Sequence, residues 1–263
     1  SMSQKIIGFS GRKQSGKNTC SNVIIGWEML SLGITRNFKI TNSGQLWVSD
    51  ILGEESNAGI FDVTSSDQSM VNFLKANLDH FVKLYSFADL LKKSICMDIL
   101  GLTRDQCYGA DKQKNTDTEI SWSSLPFYDA ETKNKKMTAR EVMQVVGTDF
   151  FRALYPNVWA DATIRKIQED SPHIAIVADC RFPNEVEAIQ NAGGKVIRLT
   201  KNSNGKDAHI SEVALDKENF DWNKFDFIIE NDDIPLGEQN KKLYGQLKEW
   251  GWLELSIAKG ESK

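Results

Sequence analysis

Histidine and cysteine are both scarce in this chain, with three and four residues among 263. The cysteines (Cys20, Cys96, Cys107 and Cys180) stand far apart with no Cys-x-x-Cys pair, and no histidine has metal-ligand spacing. That pattern predicts reduced thiols in a cytoplasmic protein. No apolar run approaches the length of a bilayer span and no signal peptide opens the sequence, so no membrane partner is expected. The opening Ser1-Met2 reads as a remnant of tag removal, and Ser1 is set aside. An excess of basic charge is also missing. A formal net charge of -4 argues against a general nucleic-acid binder and leaves room only for a local basic patch. Hydrophobic content of 40% and charged content of 26% are ordinary for a soluble chain holding one sizeable domain with insertions, or a core plus a lid.

The elements alternate along the chain. "KIIGF" (residues 5–9) is a short apolar run suited to a buried parallel strand. Cys20, Val23, Ile24, Trp27 and Leu30 then recur at helical spacing. Residues 37–80 read as an insertion: two short strands around an Asn-Ser-Gly turn, a polar stretch, and a helix near Gln68–Leu78. "HFVKLYSF" reads as a strand leading into a helix. Residues 102–137 are polar and weakly periodic, the signature of an irregular lid or mobile insertion. Its cations include Arg104, Lys112, Lys114, Lys133, Lys135 and Lys136. Thr138 and Glu141 have capping-box spacing at the head of a helix expected to stop at Gly147. A further helix covers "PNVWADATIRKIQ", a strand runs to Asp179, a helix starts near Asn184, and a strand, "FDFIIEND" and a closing helix follow. No internal repeat is found. The alternation argues for a single α/β domain over residues 2–263, with a mainly parallel sheet.

Gly11-x4-Gly16-Lys17 lies between the first strand and the first helix. Glycines there let backbone N–H groups turn inward onto phosphate oxygens, and the helix N-terminus adds partial positive charge. Lys17 would reach the transferred phosphate. Asn18 stands where a Ser or Thr hydroxyl usually ligates Mg²⁺; its amide oxygen can meet a hard cation, as a neutral ligand. Thr19 faces about 100° away and is no automatic replacement. Asp179, at a strand's C-terminal end, suits Mg²⁺ or a metal-bound water; capping the next turn or pairing with Arg181 is the alternative.

These segments together resemble the phage-type deoxynucleoside monophosphate kinases, P-loop kinases related more distantly to dephospho-coenzyme A kinase. "SGRKQSGKNT" looks like that family's Ser-Gly-x-x-x-Ser-Gly-Lys-Asp-Thr loop. "AREVMQVVGTDFFR", "IVADCRFPNEVEAIQNAGGKVIRL", "DAHISEVAL" and "FDFIIENDD" are similar to its later segments, in order, over about half the chain. Asn18 replaces the family's Asp, and residues 37–80 have no clear counterpart. The resemblance implies a three-layer α/β/α fold of P-loop NTPase type, with a hairpin-containing insertion and a lid. It implies transfer of the γ-phosphoryl group of ATP, with Mg²⁺, to a deoxynucleoside 5′-monophosphate. Such chemistry needs positioning and charge neutralisation rather than a nucleophilic triad. A host cytoplasm would be the setting of a phage-encoded enzyme, and a homodimer is compatible with it.

Roles follow on the same basis. Gly11, Lys13, Gln14, Ser15, Gly16, Lys17, Asn18 and Thr19 would hold the donor phosphates, with Lys201 facing phosphates or adenine. Arg181 would bridge donor and acceptor phosphates, against a structural pairing with Asp179 or Glu185. Arg140 and Gln144 would serve the acceptor, against a solvated face, and Phe87 and Asp89 would lie where the acceptor nucleotide binds. Trp159 is either a stacking residue or core. His209 and Glu212 fit the family pattern without a catalytic assignment. A kinase for another small phosphate acceptor, or an ATP-binding regulatory module, would share the same loop.

Overall fold

The computed structural model describes residues 4–53, 57–125, 135–203 and 210–253. The chain divides into two compact units, Ser1–Ser86 with Ile164–Lys263, and Phe87–Thr163.

In the first unit, β1 (Lys5–Ser10) leads through the glycine loop into α1 (Lys17–Ser31). β1 is buried from Ile6 onward, as a strand with neighbours on both edges and layers on both faces requires. β2 (Asn37–Ile40) and β3 (Leu46–Ser49) form the expected hairpin, turned at Gly44 with φ +82°, and β4 (Gly59–Ile60) adds a third antiparallel strand. α2 (Gln68–Asn77) and β5 (Val82–Tyr85) follow. Leu46, Val48, Phe61, Leu74 and Leu78 share one apolar core with Ile7, Phe9, Cys20 and Ile24. The insertion therefore packs on the sheet domain rather than folding around a core of its own. A cleft of about 480 Å³ opens beside it, lined by Ile51, Phe61, Met70 and Phe73 with Asp62 and Asp67.

The second unit begins with a π-helical segment, Leu90–Met97, then α3 (Arg104–Tyr108), α4 (Asp111–Lys114), β6 (Asp117–Ser121), β7 (Lys136–Thr138) and α5 (Ala139–Gln144). Cys96, Leu102, Cys107, Met137, Ala139, Val142 and Val145 form its core. The irregular stretch expected from residue 102 is thus ordered as far as 125. Its helices are too short for a 3.6-residue period to show, and side chains close them: Thr103 and Gln106 form a capping box. Residues 126–134, with Lys133, lie outside the described residues.

The Thr138–Glu141 capping box is present, each side chain bonding the other's backbone N–H at 3.2 and 2.9 Å. The helix does not stop at Gly147, however. It continues as a π-helical segment, Val145–Arg152. Gly147 has no positive φ; it permits close packing, since a Cβ there would lie 2.7 Å from Leu91 Cδ2.

α6 (Val158–Asp170) returns the chain to the first unit, where β8 (Ile174–Cys180), α7 (Pro183–Asn191), β9 (Lys195–Leu199), α8 (Ile210–Val213), β10 (Phe227–Ile229) and α9 (Leu236–Glu249) complete it. The main sheet runs β10-β9-β1-β8-β5 with every pairing parallel. All five C-terminal strand ends therefore lie on one edge, where ligands bind in open α/β sheets.

β9 docks through Gly194, whose added Cβ would sit 2.8 Å from the Ile6 carbonyl oxygen, a backbone atom that cannot swing away. Gly194→Ala is expected to destabilise the fold by about 1–3 kcal/mol, read as a lower urea midpoint. An unchanged midpoint would contradict this packing.

Candidate phosphate-binding site

The loop from Gly11 to Gly16 joins the central strand to the N-terminus of a 15-residue helix. Two residues take left-handed backbone, Gln14 (φ 59°) and Gly16 (φ 110°). Glycine at 16 is required twice over, because a Cβ would also approach Gln239 Oε1 to 3.0 Å. Gly11 leaves its side-chain space to the Ser15 hydroxyl, which is fully buried and has no hydrogen-bond partner among the described residues. Lys17 Nζ lies across the loop, donating to the carbonyls of Gly11 (2.6 Å) and Arg12 (3.3 Å). A helix N-terminus, an orphaned hydroxyl and a lysine folded over the loop together fit a polyphosphate.

The rest of the loop is held from outside. Asn202 Nδ2 donates to the carbonyls of Lys13 and Gln14 at 3.1 and 3.2 Å. Asn231 Nδ2 donates to the Ser15 carbonyl at 2.7 Å and to Gln239 Oε1 at 2.8 Å, while its Oδ1 accepts the Lys201 N–H. Glu212 Oε2 accepts the Lys13 N–H at 3.0 Å. Arg12 donates through Nε and Nη2 to the Asp216 carboxylate, and Arg198, 2% exposed, donates to the same carboxylate and to Ser10 Oγ. Burial lowers the Arg198 pKa, and Asp216 opposes that shift. Sequence reasoning missed Asn202, Asn231, Gln239, Asp216 and Arg198 as site residues. Arg198, a charge inside the apolar run "KVIRL", and Asn231, inside the family-like stretch "FDFIIENDD", carried a visible signal.

Asp179 and Arg181 stand at the adjoining strand end. Between Gly8↔Val177 and Ser10↔Cys180 the register shifts, so β8 carries one extra residue where Asp179 sits. The Ser86 hydroxyl donates to Asp179 Oδ2. The Arg181 side chain is exposed and has no ion-pair partner among the described residues. The buried Glu185 instead accepts the Arg181 and Phe182 backbone N–H groups at 2.8 and 3.0 Å. Asn18 is exposed, whereas Thr19 is buried with its hydroxyl against the hairpin glycine, Gly44. The Lys201 side chain is exposed. Among the described residues no three histidine, cysteine or acidic side chains form a protein-only metal cage. Mg²⁺ held through one carboxylate and phosphate oxygens needs none, and Asp179 offers the carboxylate.

The remaining predicted residues belong to the second unit. Phe87 is buried, and Asp89 accepts the Tyr108 hydroxyl at 2.8 Å. Burial and that carboxylate push the Tyr108 phenol up. Arg140 is not simply solvated: it donates to Asn115 Oδ1 at 3.0 Å and Asp111 Oδ1 at 2.8 Å. Gln144 is exposed. Trp159 is buried, donates Nε1–H to the Gly147 carbonyl at 3.1 Å and packs on Phe151, which are core contacts. Of the cations expected in a lid, Arg104 stacks over Tyr108 and Lys136 pairs with Glu119. His209 lies outside the described residues. No helix among the described residues is long and apolar enough to cross a membrane.

A family model described as deoxynucleotide monophosphate kinase matches residues 72–242, more than half of the chain. That segment begins after the glycine loop and includes Ser86, Asp179, Arg181, Asp216, Asn231 and Gln239. A protein of Acanthamoeba polyphaga mimivirus whose name gives the same activity is 31% identical over 143 residues, covering 49% of this chain and 67% of that protein. The deoxynucleoside-5'-monophosphate kinase of Escherichia phage T5 is 34% identical over 55 residues, covering 20% of this chain and 22% of that protein.

Burial first, then Arg181, bring the Lys17 pKa down from 10.5 to about 8, partly offset by Glu212 and Asp179. Below that pH the lysine is charged and attracts an anionic ligand at no protonation cost. Above it, the lysine must take up a proton to do so. Affinity for an ATP analogue, followed by calorimetry, is expected to be flat near neutral pH. It should then fall toward tenfold per pH unit above about 8. Lys17→Arg, charged throughout, should lack that decline, and a decline persisting in Lys17→Arg would assign it to another group.

Proposed function

This chain belongs to the deoxynucleotide monophosphate kinase family, which transfers the γ-phosphoryl group of ATP to a deoxynucleoside 5′-monophosphate, and we propose that its glycine loop is the donor site. The observation that carries this reading is Lys17, held over the loop by two carbonyls that phosphate oxygens can replace.

Within the stretch from Lys13 to Thr19, Lys17 and the amides not already committed hold the β- and γ-phosphates of ATP; the Lys13 N–H is taken by Glu212 and the Ser15 N–H by the Arg12 carbonyl. The acceptor's own phosphate oxygen is the nucleophile, so the protein supplies alignment and charge neutralisation rather than a strong base. Arg181 is suited to the transferring phosphoryl group, because its guanidinium is exposed and Glu185 is already committed to backbone N–H groups. Asp179, with Asn18 beside the loop lysine, would hold Mg²⁺, which when bound neutralises charge on the phosphate oxygens. On the acceptor side, Arg140 would bind the monophosphate, its donors exchanging Asp111 and Asn115 for phosphate, and Gln144 the base or sugar. Asp89 would serve the acceptor with its carboxylate ordered by the Tyr108 hydroxyl, and the buried Phe87 would contribute packing there. The indole N–H of Trp159 is already committed, so its contribution is packing. The four cysteines are free and buried, which suits work on nucleotides in a reducing cytoplasm.

ADP formation from Mg·ATP is to be measured with dAMP, dGMP, dCMP, dTMP, hydroxymethyl-dCMP and dephospho-coenzyme A. Acceptor-dependent turnover is expected with deoxynucleotides. Lys17→Ala should reduce it by about 10²–10³-fold or more with an unchanged circular dichroism spectrum. Substantial turnover in folded Lys17→Ala would refute the donor site, and preference for dephospho-coenzyme A would overturn the acceptor class.

A further inference from the structure

Ser86 directly follows β5, at the last position of the first unit. Its hydroxyl donates to Asp179 Oδ2 across two neighbouring parallel strands, paired Tyr85 with Val177. Two further features bear on that carboxylate. The additional residue of β8 falls where Asp179 stands, and such bulges re-aim a side chain. Position 18 brings a neutral, exposed amide in place of a hydroxyl or an acid, so the protein's hold on a cation depends more heavily on Asp179.

We infer that Ser86 is a positioning residue for the divalent cation of the donor nucleotide, its hydroxyl fixing the Asp179 carboxylate in the orientation that meets the metal or a metal-bound water. The inference rests on Asp179 as the metal carboxylate proposed above. A carboxylate at a partly exposed strand end turns about its own side-chain torsions. A hydrogen bond from a hydroxyl anchored at the next strand restricts that turning before the cation arrives. Loss of such an outer partner typically costs 10–100-fold in metal affinity. The competing role, a bond that merely ties β5 to β8, is already filled by the backbone ladder from Val82 to Tyr85 against Ile174 to Val177.

The test is Mn²⁺ affinity, read by electron paramagnetic resonance on the chain saturated with a non-hydrolysable ATP analogue. Ser86→Ala is expected to weaken Mn²⁺ by about tenfold or more, and Ser86→Thr to restore it. Binding of the analogue without metal and the melting temperature should stay unchanged in both. Should Ser86→Ala fail to fold, Ser86→Cys, similar in size with a poorer donor, serves the same comparison. Unchanged Mn²⁺ affinity in these variants, with loss of affinity in Asp179→Asn, overturns the role of Ser86 and leaves Asp179 standing. Unchanged affinity in Asp179→Asn overturns the metal assignment itself, and the inference with it.

Discussion

A loop that turns its amides toward a ligand turns its carbonyls away, and each carbonyl must then find a donor elsewhere. Here the five carbonyls from Gly11 to Ser15 are all accounted for. Lys17 Nζ serves Gly11 and Arg12, the Ser15 N–H also serves Arg12, Asn202 serves Lys13 and Gln14, and Asn231 serves Ser15. The Gly16 carbonyl accepts the Cys20 N–H, which opens the helix. Leaving the buried Ser15 carbonyl unpaired would cost about 1–3 kcal/mol, so Asn231 is the donor on which the loop's shape depends most. In the donor site proposed here, Lys17 is the one among the loop's donors that also serves the ligand. When it moves to phosphate, Arg12 keeps the Ser15 N–H.

The same segment carries an unusual density of buried charge. Asp216 receives two arginines, Arg12 from the loop and Arg198 from β9, and Arg198 also lies over the Trp222 ring. One carboxylate shared by two guanidinium groups leaves an excess of positive charge beneath the loop, with Glu212 as a nearby counterweight. Removing one partner of such a pair typically costs 3–5 kcal/mol, which ties the loop electrostatically to the strand beside it. Arg198, one of those two arginines, also helps lower the Lys17 pKa, after burial and Arg181, while Glu212 opposes the shift.

The strand, glycine loop and helix were legible in the sequence because burial leaves periodic traces: a continuous run in β1 and a stripe at 20, 23, 24 and 27 in α1. The hairpin turn and the Thr138 cap were legible because local chemistry decides them. The loop's supports were not. Asn202 and Asn231 lie in polar connections where asparagine is common, and each meets the loop about 190 positions or more away in sequence. Gly147 misled because a glycine that ends a helix and one that admits a neighbouring leucine look alike in a string of letters. Short capped helices after residue 102 likewise hid a small core, since Leu102 and Cys107 are too few to show a period.

The distant origin of those supports has a consequence in time. β1, the loop and α1 are made first, yet the donor for the Ser15 carbonyl arrives with residue 231, and its neighbour Gln239 with α9. A nascent chain released only as far as β8 would carry the whole glycine motif with the carbonyls of Lys13, Gln14 and Ser15 still without their donors. During synthesis, then, the proposed donor loop acquires its outside supports only after residues 202 and 231 have been made. At the donor site proposed here, a nucleotide would therefore act as a late stabiliser of a sheet already closed by β9 and β10.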